Sequence, residues 1–202
     1  MNRVGVVGFP GSNPSGIVAA FRRVGVRAEV LLEASEGRHC ERLVLPGVGS
    51  FGPAADFLRT SGFGSLLLEK IDLEVPVLGI CLGFHLFCSK SEEGPEHQGL
   101  GFINARVERL KSSVGRRVPH IGWSQLRAPA GNEISGLRDQ SLVYFAHSYE
   151  VVLPQPEVSA WMASYGGSDL VAAFCQGSFI GVQFHPEKSN ESGLKLLKNF
   201  AS

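Results

Sequence analysis

The sequence predicts one α/β domain with a mixed, mainly parallel central sheet and helices on both of its faces. Two observations lead to this prediction. In the first half of the 202 residues, short apolar runs alternate with stretches of helical spacing, an alternation typical of a parallel sheet covered by helices. In the second half, apolar runs follow one another across polar turns that contain proline or glycine, which indicates antiparallel strands.

The predicted elements follow in chain order. Short apolar runs predict strands at 4–7, 27–32, 43–45 and 75–80. Helical spacing predicts a helix at 15–24 and helical material at 56–70, which glycines at 62 and 64 interrupt. Further strands are predicted at 102–110, 140–152, 161–165, 170–175 and 179–184. A closing amphipathic helix at 192–200 carries Leu194, Leu197 and Phe200 on one face.

The composition argues against several classes of function. Lysine plus arginine equals aspartate plus glutamate, at 19 each, so nothing indicates a partner such as nucleic acid or an anionic membrane surface. No apolar run approaches the roughly 20 residues that span a bilayer. The stretch from Met1 to Phe9 is too short for a secretory signal, so a cytoplasmic protein is expected. No two of the four cysteines have C-x-x-C spacing, so no metal site is predicted.

The main catalytic candidate is Cys81, in the run Gly79-Ile80-Cys81-Leu82-Gly83 at a predicted strand-to-helix junction. A nucleophile on such an elbow needs small neighbours, because the chain turns sharply and the substrate must approach closely. The thiol also lies at the start of the following helix, where free N–H groups and the helix dipole favour a thiolate. The N–H of Leu82 is then a natural oxyanion donor.

The remaining cysteines, Cys40, Cys88 and Cys175, are interpreted as buried structural thiols, a common state of a free cysteine. Cys88 lies seven residues after Cys81 and is expected two turns along the same helix.

His185 and Glu187 are the candidates for a base and the group that orients it. His185 lies 185 − 81 = 104 residues after Cys81, so only the tertiary fold can bring the two together. A thiol nucleophile needs an imidazole that takes its proton and later protonates the leaving amine. That imidazole needs an acceptor to fix its tautomer. Glu187 can be this acceptor, and Pro186 between the two restricts the backbone.

A glycine-rich loop, Gly47 to Gly52, matches the G-x-G-x-x-G pattern of dinucleotide sites. Its context argues against that function, because the loop follows the third predicted strand rather than the first. The acidic residue nearest the expected position, Glu69, lies in a helical stretch rather than at a strand end. The loop is interpreted instead as the source of a second oxyanion donor.

Together these motifs resemble the class I (triad) glutamine amidotransferases, and most of all their branch of glutaminase subunits of imidazole glycerol phosphate synthase. The resemblance runs through segments 45–52, 79–83, 91–94, 99–102, 118–123, 144–149 and 184–189. It implies that 1–202 is one amidotransferase domain with the flavodoxin-like fold of this family, and that the domain needs no cofactor.

The resemblance also implies roles in catalysis. Cys81 would attack glutamine to form a γ-glutamyl thioester, His185 would transfer protons, and Glu187 would orient His185. The oxyanion would be held by the loop Gly47, Val48 and Gly49 together with Leu82. The backbone around His147, Ser148 and Tyr149 would bind the amino-acid end of glutamine.

A partner is implied as well. Ammonia would pass to a (β/α)₈-barrel cyclase subunit in a heterodimer, and Trp123, Tyr144 and Lys188 match positions near that boundary. For Trp123 and Tyr144, ordinary aromatic packing in the core is an equally good interpretation.

Two departures from the family pattern stand out. His85 replaces the usual glutamine four residues after Cys81, on the same helix face. It is expected either to hydrogen-bond the substrate or to disturb the thiolate, because the charge of histidine changes near neutral pH. The segment Gly8 to Asn13 replaces the usual Asp-Tyr-Gly-x-Gly-Asn start.

The departures leave three alternatives open. The first is a paralogous glutaminase that supplies ammonia to a different synthase, such as one for amidated surface sugars. The second is a non-catalytic subunit that only binds its partner. A cysteine peptidase or chaperone of a related elbow-bearing fold is the third, although it does not predict the His-Pro-Glu element near the C-terminus.

Overall fold

The computed structural model describes residues 3–94, 97–129, 134–154 and 160–202. The helices are α1 (Pro14–Arg23), α2 (Phe51–Ser61), α3 (Phe63–Asp72), α4 (Leu82–Leu86) and α5 (Asn190–Phe200). The strands are β1 (Val4–Val7), β2 (Ala28–Leu31), β3 (Arg42–Leu45), β4 (Val77–Ile80), β5 (Cys88–Ser91), β6 (His97–Gln98), β7 (Ile103–Arg109), β8 (His120–Arg127), β9 (Leu142–His147), β10 (Tyr149–Val152), β11 (Ala160–Tyr165), β12 (Ser168–Gln176) and β13 (Phe179–Val182). Short 3-10 helices lie at Ala34–His39 and Pro186–Lys188. Within these described ranges, no helix is long and apolar enough to cross a membrane.

A nine-stranded sheet in the order β2-β1-β3-β4-β13-β12-β11-β8-β9 forms the centre of the fold. The neighbours from β2 to β13 pair in parallel, and those from β13 to β9 pair antiparallel. A second sheet has the order β10-β7-β5-β6. The predicted α/β fold with a mixed sheet, parallel in the first half of the chain, is therefore confirmed.

Side-chain alternation along the strands builds a core on each face of the main sheet. Leu43 and Leu45 of β3 join a cluster that includes residues of α2 and α3. Val44 between them joins a second cluster, with Phe21 of α1 and Phe200 of α5. Successive residues of a strand point to opposite faces, so helices cover both sides of the sheet, as predicted.

The second half of the chain departs from the sequence prediction in two places. The sequence does not predict β8, because two of its three large apolar residues, Ile121 and Trp123, lie on the exposed side of the strand, and only Leu126 is buried. The stretch 140–152 is predicted as one strand but forms two, with Ser148 between them. The first of these, β9, pairs in the main sheet, whereas β10 pairs in the second sheet.

Three adjacent parallel strands end at the same edge of the main sheet. Ile80, the last residue of β4, pairs with Val182, the last residue of β13. The chain then continues into Cys81 after β4 and towards His185 after β13, while Gly47 follows the neighbouring β3. Loops at the carboxyl ends of parallel strands are the usual place for a site in such folds.

We expect the stability of this core to depend on Leu43, which is wholly buried in β3. Leu43→Ala should lower the free energy of unfolding by about 2–5 kcal/mol, because it removes buried methyl groups and leaves a cavity. Urea unfolding followed by circular dichroism measures the change. Leu32→Ala is the matched control, since Leu32 is 74% exposed and should change the free energy by less than about 0.5 kcal/mol. Equal effects of the two substitutions would contradict the assignment of the core.

Candidate active site

Cys81 lies at a strained turn between β4 and α4. Its backbone has φ 50° and ψ −106°, and residues with a side chain rarely adopt such a left-handed φ. The Cys81 N–H donates to Val182 O at 2.7 Å, and Cys81 O accepts from the His85 N–H at 3.0 Å. Strain of this kind persists where the surroundings fix it, commonly at functional sites. The geometry is that of a nucleophile elbow.

Two glycines let neighbouring backbones come close to this elbow. A Cβ atom added to Gly83 would lie 2.0 Å from Leu45 O, and one added to Gly47 would lie 1.8 Å from Ile80 O and 2.3 Å from Leu82 N. No side chain fits at these distances. Close contact with the elbow is therefore enough to explain why position 47 is glycine, and a bound nucleotide is not needed to explain it.

The imidazole of His185 lies between a thiol and a carboxylate. Its Nδ1–H donates to Glu187 Oε1 at 2.9 Å, which leaves Nε2 for the sulfur of Cys81, the other group that raises the pKa of this ring. Burial by itself lowers the pKa of His185, but the hydrogen bonds and charges of Cys81 and Glu187 outweigh burial and raise the pKa to about 10. The ring is therefore protonated at neutral pH.

The segment that carries His185 is fixed by contacts from β9 and α5. The His185 N–H donates to Tyr144 O at 2.8 Å. The buried hydroxyl of Ser189 donates to His185 O at 2.6 Å and accepts from the Tyr144 N–H at 2.9 Å. A Cβ atom added to Gly193 would lie 2.0 Å from Pro186 O, so α5 packs directly on this loop. The position of the imidazole thus depends on elements outside its own strand.

Cys81 lines a cavity of about 350 Å³, which is large enough for an amino acid. The loops after β3, β4 and β9 contribute to its walls. All eight residues that the sequence predicts for oxyanion and substrate binding line this cavity: Gly47, Val48, Gly49, Leu82, His85, His147, Ser148 and Tyr149. The fold therefore gathers segments that lie far apart in sequence into one concave site.

Glu93 lines the same cavity, although the sequence-based predictions give it no role. It supplies the only carboxylate among the described residues that line the cavity. Burial raises the pKa of Glu93, opposed by the Phe51 N–H, which donates to Glu93 Oε2 at 3.2 Å, and by the charge of His97. The sequence does contain a signal for a functional role of Glu93, because this residue belongs to the Ser-Glu-Glu-Gly segment on which the family resemblance partly rests.

The expected change in the charge of His85 near neutral pH is wrong. The side chain is 4% exposed, and burial lowers its pKa to about 4, despite an opposing hydrogen bond to Gln183. His85 Nε2 lies 2.8 Å from Gln183 Oε1. The ring is therefore neutral at pH 7. Gln183 itself was missed, because nothing in the sequence pattern marks a buried glutamine just after a strand.

A chain of hydrogen bonds supports the wall formed by His147. His147 Nδ1–H donates to Tyr149 O at 2.8 Å, so Nε2 of the neutral ring accepts from His120 Nδ1–H at 3.0 Å. His120 Nε2 in turn lies 3.1 Å from Ser124 Oγ. Burial lowers the pKa of His120 to about 4 and that of His147 to about 3. Both rings are therefore neutral, and a single tautomer of each ring satisfies all of these hydrogen bonds.

Trp123, Tyr144 and Lys188 form one cluster at the surface. Trp123 meets Tyr144 edge-on, with ring centroids 5.7 Å apart, and Lys188 Nζ lies 5.9 Å from the Tyr144 centroid. Trp123 is 43% exposed, so the interpretation as core packing is wrong for this residue. The exposed side chains of Ile121 and Leu142 lie on the same pair of strands.

The other cysteines differ partly from expectation. Cys88 is wholly buried, and burial raises its pKa to about 12. It begins β5, however, so the prediction that it shares the helix of Cys81 is wrong, because α4 ends at Leu86. Cys40 is buried as expected, whereas Cys175 is only partly buried, next to the end of β12.

Across the described part of the chain, no group of His, Cys, Asp and Glu side chains has the arrangement of a metal site.

Comparison with known proteins shows what this chain is similar to. Residues 7–202 match the family model for glutamine amidotransferase class-I. The imidazole glycerol phosphate synthase subunit HisH of Synechococcus sp. (strain JA-3-3Ab) is 38% identical over 98% of this chain and 92% of its own length. The subunit of the same name from Chlorobaculum tepidum is 38% identical over 97% and 98%.

Two further similarities concern a longer relative and a solved structure. The chloroplastic imidazole glycerol phosphate synthase hisHF of Arabidopsis thaliana is 38% identical over 98% of this chain but only 33% of its own length. The structure of PurLQS from Thermotoga maritima has a TM-score of 0.75 at 18% identity and covers 99% of this chain and 97% of its own. At that identity the structural likeness establishes the fold alone.

The neutral buried histidines predict loss of stability in acid. The pKa of His85 is about 4 in the folded chain and about 6.5 when unfolded, so between these values the unfolded state binds more protons. Stability therefore falls as pH drops through this window. We expect His85→Gln to reduce the loss between pH 7 and pH 5 by about 1–2 kcal/mol, measured by urea unfolding at each pH. His39→Gln, at an exposed histidine, should leave the loss unchanged. An identical loss in wild type and His85→Gln would contradict the neutral state of His85.

Proposed function

The chain belongs to the class-I glutamine amidotransferase family, and we propose that it is the glutaminase subunit of an imidazole glycerol phosphate synthase, in histidine biosynthesis. One observation carries the proposal: 38% identity to subunits of that name over almost the whole of both chains. The cavity beside Cys81 supports the chemistry. The proposal treats 1–202 as one amidotransferase domain, which acts in the cytoplasm as part of a heterodimer.

The first half of the proposed reaction is acylation of Cys81. The thiolate sulfur attacks the side-chain carboxamide carbon of glutamine, and the carbonyl electrons move onto oxygen. When this tetrahedral species collapses, the C–N bond breaks and His185 Nε2–H gives its proton to the leaving nitrogen. Ammonia departs and a γ-glutamyl thioester remains on Cys81. Glu187 keeps Nδ1 occupied and stabilises the protonated ring, at a distance of 2.9 Å.

Hydrolysis of the thioester completes the cycle. His185, now neutral, takes a proton from water as the water oxygen attacks the thioester carbon. The C–S bond then breaks, glutamate leaves, and Cys81 departs as a thiolate beside the protonated His185. The protonated imidazole is thereby restored for the next cycle, which agrees with the raised pKa of His185, about 10.

The cavity walls suggest how glutamine is oriented. We assign the α-ammonium group to Glu93, because it is the carboxylate that lines the described cavity wall. The backbone of His147, Ser148 and Tyr149 is assigned to the amino-acid end. N–H groups of the Gly47–Gly49 loop and of Leu82 are assigned to the oxyanion, since Leu82 opens α4 and its N–H has no partner within that helix.

A (β/α)₈-barrel cyclase is the proposed partner and recipient of ammonia. The exposed cluster of Trp123, Tyr144 and Lys188 is assigned to this contact, together with Ile121 and Leu142, which are 62% and 48% exposed. A partly exposed aromatic cluster among exposed aliphatic side chains is typical of a binding surface. In the Arabidopsis thaliana relative named hisHF, the segment similar to this chain makes up 33% of one longer polypeptide.

The second candidate function keeps the chemistry and changes the recipient of ammonia. His85 and the Gly8–Asn13 start depart from the family pattern, and a relative from Pseudomonas aeruginosa, 36% identical over 96% of both chains, is named subunit HisH 2. A paralogue that serves another synthase, such as one for amidated surface sugars, would fit these observations. Pull-down of the natural partner separates the candidates: a barrel cyclase supports the first, and a sugar-modifying synthase supports the second.

We expect Cys81→Ala to lower the turnover number for glutamine hydrolysis by at least about 10³-fold, because no other group forms the thioester. Glu187→Gln should lower it about 10²–10⁴-fold through loss of the acceptor that orients His185. Ammonia release, measured with and without the cyclase, provides the readout, and Cys175→Ala is the control at a thiol outside the cavity. Hydrolysis that survives in Cys81→Ala would refute the mechanism. Absence of stoichiometric labelling of Cys81 by a glutamine-analogue alkylator would favour a non-catalytic subunit.

We expect Trp123→Ala to weaken binding of the cyclase by about 10-fold or more, as is typical for an exposed aromatic anchor at the centre of an interface. Isothermal titration calorimetry with the purified cyclase measures the affinity. Leu32→Ala, at an exposed leucine that lies on neither strand of the cluster, serves as the control and should bind like the wild type. Unchanged affinity of Trp123→Ala would remove this cluster from the proposed interface.

A further inference from the structure

Gln183 is a buried polar residue for which the proposed mechanism has no role. It lies directly after β13, and its side chain is completely inaccessible to solvent. Its N–H donates to Ala172 O at 2.8 Å, which keeps its backbone in line with the strand. A buried amide costs stability unless its polar atoms are bonded, so the partners of this side chain define what it does.

The two ends of the Gln183 amide contact two residues of the elbow. Gln183 Nε2 donates to Cys81 Sγ at 3.5 Å, a normal distance for a donor to sulfur. Gln183 Oε1 lies 2.8 Å from His85 Nε2, so the ring must carry its proton on Nε2 and donate. Because Oε1 is held in this way, the NH₂ group points at the sulfur. The opposite orientation of the amide would place an oxygen against a thiolate.

His85 is itself held in place by the elbow. Its N–H donates to Cys81 O at 3.0 Å, and its side chain is 4% exposed on the same face of α4. Cys81, His85 and Gln183 therefore form a closed set, in which each residue contacts the other two. His185 approaches the sulfur as well, so two residues that follow β13 contact the nucleophile.

We propose that Gln183 and His85 are positioning residues for Cys81: His85 fixes the orientation of the Gln183 amide, and that amide donates a hydrogen bond that holds Sγ and stabilises its thiolate. A hydrogen bond to a charged acceptor is stronger than one to a neutral group, so the contact favours the thiolate over the thiol. It also favours departure of the thiolate when the thioester is hydrolysed. The inference rests on the proposed function for its place in catalysis, whereas the contact itself concerns only the thiol.

The proposal changes the expected role of His85. A histidine in place of the usual glutamine is expected to contact the substrate or to disturb the thiolate by its own charge. With Nε2–H engaged by Gln183, the ring acts on Cys81 through the amide instead. The neutral state of His85 supports this role, because one ring nitrogen then donates without placing a charge beside the site.

Site-specific alkylation of Cys81 tests the proposal without requiring glutaminase activity. The full chain is treated with iodoacetamide across pH 5–10, and labelling of Cys81 is read by peptide mass spectrometry, which separates it from labelling at the partly exposed Cys175. Gln183→Met removes the donor and keeps most of the volume, and we expect the midpoint pH of alkylation to rise by about 1–2 units. Gln176→Met, at an exposed glutamine of β12, is the matched control and should not shift the midpoint.

The role of His85 is tested by His85→Phe and by the double variant. His85→Phe removes the ring donor, so the midpoint should rise by less than in Gln183→Met. The double variant should match Gln183→Met alone, because His85 acts through the amide. An unshifted midpoint in folded Gln183→Met would overturn the proposal. Gln183→Glu provides a second variant that keeps the size of the side chain, and a larger upward shift is expected from a carboxylate beside the thiolate.

Kinetic data distinguish the remaining outcomes. If His85 instead contacted glutamine directly, His85→Phe would raise KM for glutamine and leave the alkylation midpoint unchanged, and this result would overturn its positioning role. If wild type failed to hydrolyse glutamine while the midpoint shifts remained, the proposed function would fail and the positioning of Cys81 would stand.

Discussion

The parallel pairing of β4 with β13 is the constraint on which the site depends, because it places Ile80 opposite Val182 at one edge of the sheet. Cys81 follows the first of these residues, and the loop to His185 follows the second. The same pairing supplies the hydrogen bond from the Cys81 N–H to Val182 O, so the strand that leads to the proposed base also holds the backbone of the proposed nucleophile. A shift of this register would separate the thiol from both the imidazole and the buried amide.

Charge is distributed unevenly among the buried histidines. His85, His120 and His147 lie where burial lowers the pKa to about 3 or 4, and their partners are neutral groups. His185 is equally buried, yet a carboxylate and a thiol raise its pKa to about 10. One protonated imidazole therefore faces the sulfur while the surrounding rings act as neutral donors and acceptors. The neutral rings place no second positive charge beside the sulfur, and acid is the condition that protonates them.

Close backbone contacts explain much of the glycine content around the site. Gly83 packs on Leu45 O and Gly47 packs on Ile80 O, at distances that exclude any side chain. The loop after β3 can therefore lie against the elbow, with its peptide groups near the thiol. A pattern that resembles a dinucleotide fingerprint thus arises here from the packing of two protein segments. The same glycine spacing can therefore mark either a nucleotide-binding loop or a close contact between backbones.

The sequence by itself determined the fold class and marked the residues of the proposed catalytic chemistry. Alternation of apolar runs with helical spacing follows directly from burial on one or two faces, and the elbow around Cys81 and the pair His185 and Glu187 are local patterns that need no distant partner to be recognised. The sequence could not predict β8, because Ile121 and Trp123 lie on its exposed side.

Only the tertiary structure decided which distant groups meet. Gln183 is 183 − 81 = 102 residues from Cys81, and its contact with the sulfur depends on a strand pairing that no local pattern encodes. The neutral state of His85 likewise depends on desolvation by elements packed around α4, since burial is a property of the whole fold and not of neighbouring residues.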